Sequence, residues 1–141
     1  MTTDRDRSPG WQQRHTERYI ATGGTDGHFW NGVPTLLLTT TGKRTGRAFT
    51  TPLIYGRDGE NYLIVASRGG ADKHPQWYRN LVAQPEIEVQ VMDRLFKARA
   101  RTASPDEKPR LWQTMASIFP SYNDYQTRTK RDIPVVIIER A

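Results

Sequence analysis

Cysteine is absent from this chain of 141 residues. That absence excludes disulfides, thiolate nucleophiles, cysteine-bound zinc and iron–sulfur clusters. No apolar run reaches the roughly 18 residues that a membrane-spanning helix needs, and the polar segment 1–9 lacks the apolar core of a secretion signal. The sequence therefore predicts a soluble cytoplasmic protein, in which any redox chemistry would need a bound cofactor.

Acidic residues are missing from the stretch between Asp26 and Asp58, which contains Lys43, Arg44, Arg47 and other basic residues. Together with the net charge of +6, this asymmetry predicts one positively charged zone and an anionic partner. Charge alone does not distinguish a phosphate, a nucleic acid or lipid headgroups. Peripheral contact of the polar N-terminal arm with the inner face of a membrane therefore stays open.

The length fits a single domain, and no repeat or linker divides it. We assign residues 1–31 to an N-terminal arm, a helix and a connection, and residues 32–141 to the main domain. The helix is predicted at residues 10–21, where Trp11, Tyr19 and Ile20 could dock on the body or belong to a solvated arm. The aromatic pair Phe29 and Trp30 in the following glycine-rich connection is predicted to seal one end of a barrel.

The centre of the chain has the short β-branched and alternating segments of a sheet. Strands are predicted at residues 35–41, 49–55, 61–66, 86–92, 96–101 and 133–138, with an Asp58-Gly59 hairpin turn. Helices are predicted at residues 76–83, from a capping box of Ser104, Pro105 and Glu107 as far as Pro120, and at residues 121–129. Segregated helices around a β-rich centre indicate an α+β fold with an antiparallel sheet or barrel.

Two loops have compositions suited to binding. Residues 42–47, hereafter the basic turn, combine Gly42 and Gly46 with Lys43, Arg44 and Arg47, so backbone N–H groups and cations can converge on an anion. The turn lacks the Walker spacing, and a solvated basic turn is an equal alternative. Residues 66–75, hereafter the glycine loop, hold small residues that let a flat ring approach the backbone, and Pro75 begins a helix that can face an anion.

Trp77 and Tyr78 after this loop are equally suited to the core and to a site, whereas His74 has the character of a capping or surface residue. The three histidines are too scattered to indicate a metal site or a Ser-His-Asp arrangement.

Several motifs in one order resemble the deazaflavin-dependent nitroreductase family of nitroreductase and quinone reductase-like proteins. They are LLLTTTGKRTGR from Leu36, TPL from Thr51, ASRGGA from Ala66, WYRNL from Trp77, and YQTRT from Tyr125 with IPV from Ile133. The resemblance spans about residues 32–138. It implies a split β-barrel of the flavin-binding kind, the coenzyme F420 as cofactor, and hydride transfer from its reduced form to a quinone, an unsaturated lactone or a nitroaromatic.

The resemblance also implies roles for individual residues. The phosphate and oligoglutamate tail of F420 would be held by Lys43, Arg44, Thr45 and Gly46, with Arg47 as a helper. The deazaflavin ring and phosphate would be enclosed by Thr51, Pro52, Leu53, Ala66, Ser67, Arg68, Gly69, Gly70, Ala71, Lys73, Pro75, Trp77 and Asn80. Ser67, Tyr122 and Tyr125 would hydrogen-bond or protonate the acceptor. The family often has a further basic residue where Phe49 stands, so one tail contact is expected to be lost or rearranged.

Two other classes of function stay open at this point. A basic barrel could bind single-stranded nucleic acid, although the cations cluster at one turn and the strands carry no interleaved exposed aromatics. A carrier that binds flavin, F420 or haem without catalysis is a second alternative, because a fold carries over more securely than a function. No nucleic-acid partner is expected, and the assembly is predicted to be a monomer or a homodimer.

Overall fold

The computed structural model describes residues 10–141, so the arm to which membrane contact was assigned lies outside the described residues. The helices are α1 (Trp11–Thr22), α2 (Gln76–Ala83), α3 (Lys108–Ile118) and α4 (Ser121–Thr127). The strands are β1 (Phe29–Trp30), β2 (Val33–Thr41), β3 (Ala48–Ile54), β4 (Gly56–Asp58), β5 (Asn61–Val65), β6 (Glu86–Val91), β7 (Arg94–Thr102) and β8 (Val135–Arg140). A short 3-10 turn (Arg68–Gly70) lies in the glycine loop.

All eight strands pair antiparallel in one curled sheet with the order β1-β2-β6-β7-β8-β5-β4, and β3 pairs with the other side of β2. The sheet curls into a half-barrel, and the helices α1 to α4 flank it. The α+β split-barrel prediction is confirmed.

The core has two parts because β5 and β8 are buried on both faces. Tyr62 and Ile64 point into the barrel with Leu36, Val89 and other apolar side chains. The alternate residues Leu63 and Val65 point outward, where Leu111 and Met115 of α3 cover them. Alternation with a period of two thus divides each of these strands between the barrel interior and the helical layer.

The strand pair β6 and β7 shows how side-chain pattern sets the register. Glu86 lies opposite Arg99 and Glu88 lies opposite Lys97, as the alternating charges predict. The Glu86–Arg99 pair makes a salt bridge of 2.6 Å. The opposite face of β7 buries Ala98 and Ala100 inside the barrel.

The capping box is present, but helix α3 begins later than predicted. The Ser104 amide donates to the Glu107 carboxylate at 3.0 Å, and the Glu107 amide donates to the Ser104 hydroxyl at 3.3 Å. These bonds close a turn over residues 104–107, and α3 continues from it at Lys108. The Lys108 amide makes a single i to i−4 hydrogen bond to Ser104 O, and the next such bond along the chain runs from the Leu111 amide to Glu107 O, so the continuous helix begins after the turn.

Helix α1 attaches to the sheet through Tyr19, which is fully buried. Its hydroxyl donates to Thr35 O on β2 at 3.0 Å and accepts from the Met92 amide at 2.8 Å. The sequence left open whether Ile20 docks or faces solvent, and Ile20 is 56% exposed. Within residues 10–141, no helix is both long and apolar enough to cross a bilayer.

Phe29 and Trp30 differ from their predicted role as a pair that seals the barrel end. They form β1, a strand where a connection was expected, and strand alternation sends their side chains to opposite faces. Phe29 is 46% exposed, whereas Trp30 is half-buried and stacks on Trp11 with the ring centroids 5.9 Å apart. Only Trp30 therefore serves as a cover.

Candidate active site

A cavity of about 710 Å³ lies between β3, the glycine loop, α2, α4 and the start of α1. Twelve of the side chains or backbone segments singled out from the sequence line it together: Thr51, Pro52, Leu53, Ser67, Arg68, Gly69, Lys73, Pro75, Trp77, Asn80, Tyr122 and Tyr125. They come from three separate parts of the chain, namely β3, the glycine loop with the adjoining α2, and α4, so folding brings the separate motifs to one place.

The basic turn lies beside this cavity and outside its lining. Lys43, Arg44, Thr45, Gly46 and Arg47 are all exposed. The turn is closed by a hydrogen bond of 2.6 Å from the Gly42 amide to Arg47 O. The Phe49 ring covers Gly42 and also lines the cavity, so an apolar surface joins the turn to the site.

Asn80 on α2 fastens the basic turn to the cavity wall. It is 1% exposed, and its Oδ1 accepts from the Lys43 amide at 3.3 Å and from Gln76 Nε2 at 3.0 Å. Its Nδ2 donates to the Thr40 hydroxyl at 3.1 Å. With these partners, the amide mainly fixes where the turn stands relative to the cavity.

The glycine loop has an unusual backbone. Arg68, Gly69 and Gly70 follow one another in the left-handed region, with φ values of 47°, 62° and 84°. A Cβ on Gly70 would lie 2.7 Å from Tyr125 O, so only glycine allows the loop to lie against α4. Gly70, Ala66 and Ala71 are not part of the cavity lining, because the loop turns them toward the protein.

Tyr122 and Tyr125 form the wall on the side of α4, with ring centroids 6.2 Å apart and an interplanar angle of 74°. Tyr122 is 5% exposed. Burial, and secondarily the neighbouring Tyr125, raises the pKa of the Tyr122 hydroxyl. This phenol therefore stays protonated at neutral pH and can donate a hydrogen bond into the cavity.

The aromatic wall continues beyond the residues found from the sequence. Phe119 contacts Tyr122 at a centroid distance of 5.0 Å and Trp30 at 6.4 Å, and Trp11 stacks on Trp30. The sequence placed Phe119 only within the predicted helix that ends at Pro120, and α1 carried no site prediction. The spacing that marks an apolar helix face does not show that the end of that face opens into a cavity.

His74 and Arg131 were also missed. His74 lines the cavity and does not cap α2, because the N-cap position belongs to Pro75. Burial, followed by the charges of Arg131 and Arg79, lowers the pKa of His74. Arg131 lies between α4 and β8, and its guanidinium contacts the glycine loop. No periodicity or glycine signal in the sequence marks it.

The donor set fits a flat anionic cofactor. The cavity lining contains Arg68, Lys73 and Arg79, and no Asp or Glu is among its lining residues within the described part of the chain. Small residues of the glycine loop and the β3 backbone leave a face for a ring, and the basic turn lies next to it for a charged tail. The residues present thus suit both parts of a deazaflavin coenzyme.

Comparison with known proteins agrees with this chemistry. A family model described as F420H(2)-dependent quinone reductase matches residues 11–140. The F420H(2)-dependent quinone reductase Rv1261c of Mycobacterium tuberculosis is 44% identical over 130 residues, covering 89% of this chain and 87% of that protein.

Solved structures show the same fold. A chain solved as a domain-swapped dimer is 38% identical, covers 92% of this chain and 97% of its own, and superposes with a TM-score of 0.73. The F420-H2 dependent reductase FDR-A is 39% identical, with coverages of 75% and 94% and a TM-score of 0.70.

Proposed function

The chain belongs to the F420H(2)-dependent quinone reductase family, and from this premise we propose that it reduces a quinone held in the cavity beside α4. It is an F420-dependent oxidoreductase. The observation that carries the choice of site is the cavity lining, which joins cations, a glycine loop and two tyrosines and has no carboxylate among residues 10–141. Unsaturated lactones and nitroaromatics are the other acceptors that the same wall could admit.

The cofactor side is assigned to the residues named from the sequence. Lys43, Arg44, Thr45, Gly46 and Arg47 would bind the anionic tail outside the cavity, and Arg68 and Lys73 of the lining would hold the phosphate. The ring would be held by the lining segment Thr51, Pro52 and Leu53 of β3, with Trp77 and the glycine loop. Asn80 would keep the basic turn in place, and Ala66, Gly70 and Ala71 would support the glycine loop from outside the lining.

Reduced F420 supplies a hydride and does not supply single electrons, so the protein mainly positions donor and acceptor. Reduction of a quinone to a hydroquinone takes that hydride and one proton. Tyr122, Tyr125 and Ser67 all line the cavity, and their hydroxyls are the groups that could hydrogen-bond the quinone oxygen. Tyr122 and Tyr125 are the stronger candidates, because α4 holds both rings on one wall.

The proposal is tested by anaerobic turnover of reduced F420 with menadione, followed by the recovery of F420 fluorescence. We expect oxidation that depends on both the protein and the quinone. When NADPH or reduced FMN replaces reduced F420, we expect the protein to add nothing to the rate of the uncatalysed reaction, followed by the absorbance of that donor. A protein that binds F420, flavin or haem but oxidises no reduced F420 with any of the three acceptor classes would be a carrier, the alternative from the sequence.

The oligomeric state and the membrane contact have separate tests. One relative of 38% identity is a domain-swapped dimer, and we favour a homodimer here, which light scattering at several concentrations would test. Peripheral membrane contact of the arm at residues 1–9 stays a prediction from charge and polarity alone, and vesicle flotation of the full chain would check it.

A further inference from the structure

We propose that Arg131 is a positioning residue that turns two peptide N–H groups of the glycine loop into the cavity, where they donate hydrogen bonds to an oxygen of the cofactor, either on its phosphate or on a ring carbonyl. This inference rests on the proposed function, because it assigns Arg131 to the F420 side of the site. It adds a residue that touches neither the cofactor tail nor the acceptor.

A single guanidinium holds the glycine loop from outside the cavity. Its Nε donates to Ala71 O at 2.7 Å and its Nη2 donates to Ser67 O at 2.8 Å. Nη1 donates to Ala66 O at 3.2 Å and lies 3.0 Å from His74 Nδ1. Arg131 thus binds the loop at both ends, which a shorter or single-donor side chain cannot do.

The orientation of the N–H groups follows from the geometry of the peptide bond. In a trans peptide, the carbonyl and the following N–H point in opposite directions, and no cis peptide occurs in the described residues. The carbonyls of Ala66 and Ser67 point at Arg131. The N–H groups of Ser67 and Arg68 must therefore point away from Arg131, to the side of the loop on which both residues line the cavity.

The dihedral angles make these N–H groups converge. Ser67 is right-handed, with φ −82° and ψ −39°, and Arg68 is left-handed, with φ 47°. A right-handed residue followed by a left-handed one forms a concave nest of successive N–H groups, which binds anionic oxygens. An arginine in the left-handed region is strained. The hydrogen bonds that Arg131 donates to the carbonyls of Ala66 and Ser67 hold Arg68 in this conformation.

Arg128 provides a matched control because it has the same charge and approaches the same loop. Its Nη1 reaches Gly69 O at 3.4 Å, and its guanidinium lies 5.3 Å from the centre of the Tyr125 ring. It makes no contact with the carbonyls of Ala66 or Ser67 in the described structure. Replacing Arg128 removes one positive charge near an anionic cofactor without releasing the nest.

The experiment compares Arg131→Gln, Arg131→Lys and Arg128→Gln in the full chain. We expect Arg131→Gln to raise the Kd for oxidised F420, measured by fluorescence quenching, and the KM for reduced F420 by at least about tenfold. Arg131→Lys should lie between Arg131→Gln and the wild type, and Arg128→Gln should change both values by less than about threefold. The KM for menadione should stay near the wild-type value in all three variants.

Three results would overturn the inference. Arg131 variants that bind F420 like the wild type would show that the nest does not need Arg131. If Arg128→Gln weakened F420 binding as much as Arg131→Gln, the loss of a positive charge would explain the result. If the KM for menadione rose together with the KM for reduced F420, Arg131 would have a general structural role. If Arg131→Gln does not fold, Arg131→Lys gives the same comparison. Failure of the wild type to bind F420 would instead contradict the proposed function.

A second ligand, the deazaflavin chromophore without its phosphate and tail, shows whether the nest binds a phosphate oxygen or a ring carbonyl of the cofactor. If the nest binds the phosphate, the loss of affinity in Arg131→Gln should vanish with this ligand. If it binds a ring carbonyl, the loss should persist. An Arg131→Gln variant that binds both ligands as tightly as the wild type contradicts both versions.

Discussion

The hydroxyl of a buried tyrosine can be tested separately from its ring. We expect Tyr122→Phe or Tyr125→Phe to lower kcat for menadione by about tenfold to a thousandfold if the hydroxyl orients or protonates the quinone. The ring stays, so the melting temperature and the Kd for F420 should remain near the wild-type values. Steady-state kinetics and thermal unfolding provide the two measurements.

Tyr78→Phe is the matched control for this prediction. Its hydroxyl bonds the Thr102 hydroxyl at 2.8 Å and is not part of the cavity lining. Loss of that bond should leave turnover unchanged. Full activity in both α4 variants, with harm only from substitutions that remove the ring, would show that Tyr122 and Tyr125 act by shape and that Ser67 or water supplies the proton.

The contact between the glycine loop and α4 links the two sides of the site. In Gly70→Ala, the new Cβ would meet Tyr125 O at 2.7 Å and the Tyr125 Cα at 3.0 Å, at a φ of +84°. We expect α4 to shift and quinone turnover to fall by at least about tenfold, since a displacement of about 1 Å near reacting groups is costly. Turnover, melting temperature and F420 affinity should be measured together.

Gly59→Ala isolates the strain from the clash. Gly59 lies in the turn between β4 and β5, away from the cavity lining. It has a similar φ of +60°, but nothing lies within 4 Å of its Cβ position. Left-handed strain alone should cost about 1–2 kcal/mol of unfolding free energy in either variant. Equal losses of turnover in the two variants would mean that the contact between residue 70 and Tyr125 does not affect the position of α4 at the active site.

The elements that the sequence predicted well are those whose signal is local. Helix α2 has the predicted bounds, and β6 shows the predicted alternation of Glu86 and Glu88 with buried residues. The motifs of the basic turn and the glycine loop were also found locally. What the sequence left open or did not predict depends on partners distant in the chain. The sequence did not decide whether Ile20 docks or faces solvent, and it did not show that Phe119 borders the cavity or that Arg131 reaches back to Ala66 and Ser67.

The positive charge of the whole molecule should appear in the salt dependence of cofactor binding. The Debye length falls from about 8 Å at physiological ionic strength to about 3 Å at 1 M, so exposed Lys43 and Arg44 should lose attraction for an anionic tail. We expect the Kd for F420 to rise with salt in the wild type. Lys43→Ala combined with Arg44→Ala should raise the Kd at low salt and flatten this dependence.

At saturating reduced F420, the same double variant should keep a near wild-type kcat, because a tail contact is equal in the ground and transition states. Arg94→Ala with Lys97→Ala removes two charges from β7, away from the cavity lining, and should leave the salt dependence intact. An identical response of the two double variants would assign the salt effect to net charge and not to the basic turn.

Three of the four tryptophans, Trp11, Trp30 and Trp77, border the cavity. The fourth, Trp112, donates its indole N–H to Asn123 on the outer helical layer. The protein therefore contains its own optical probe, because an absorbing ligand in the cavity would accept excitation energy from the three nearby indoles. Occupancy of the site could therefore be followed by intrinsic fluorescence without any label.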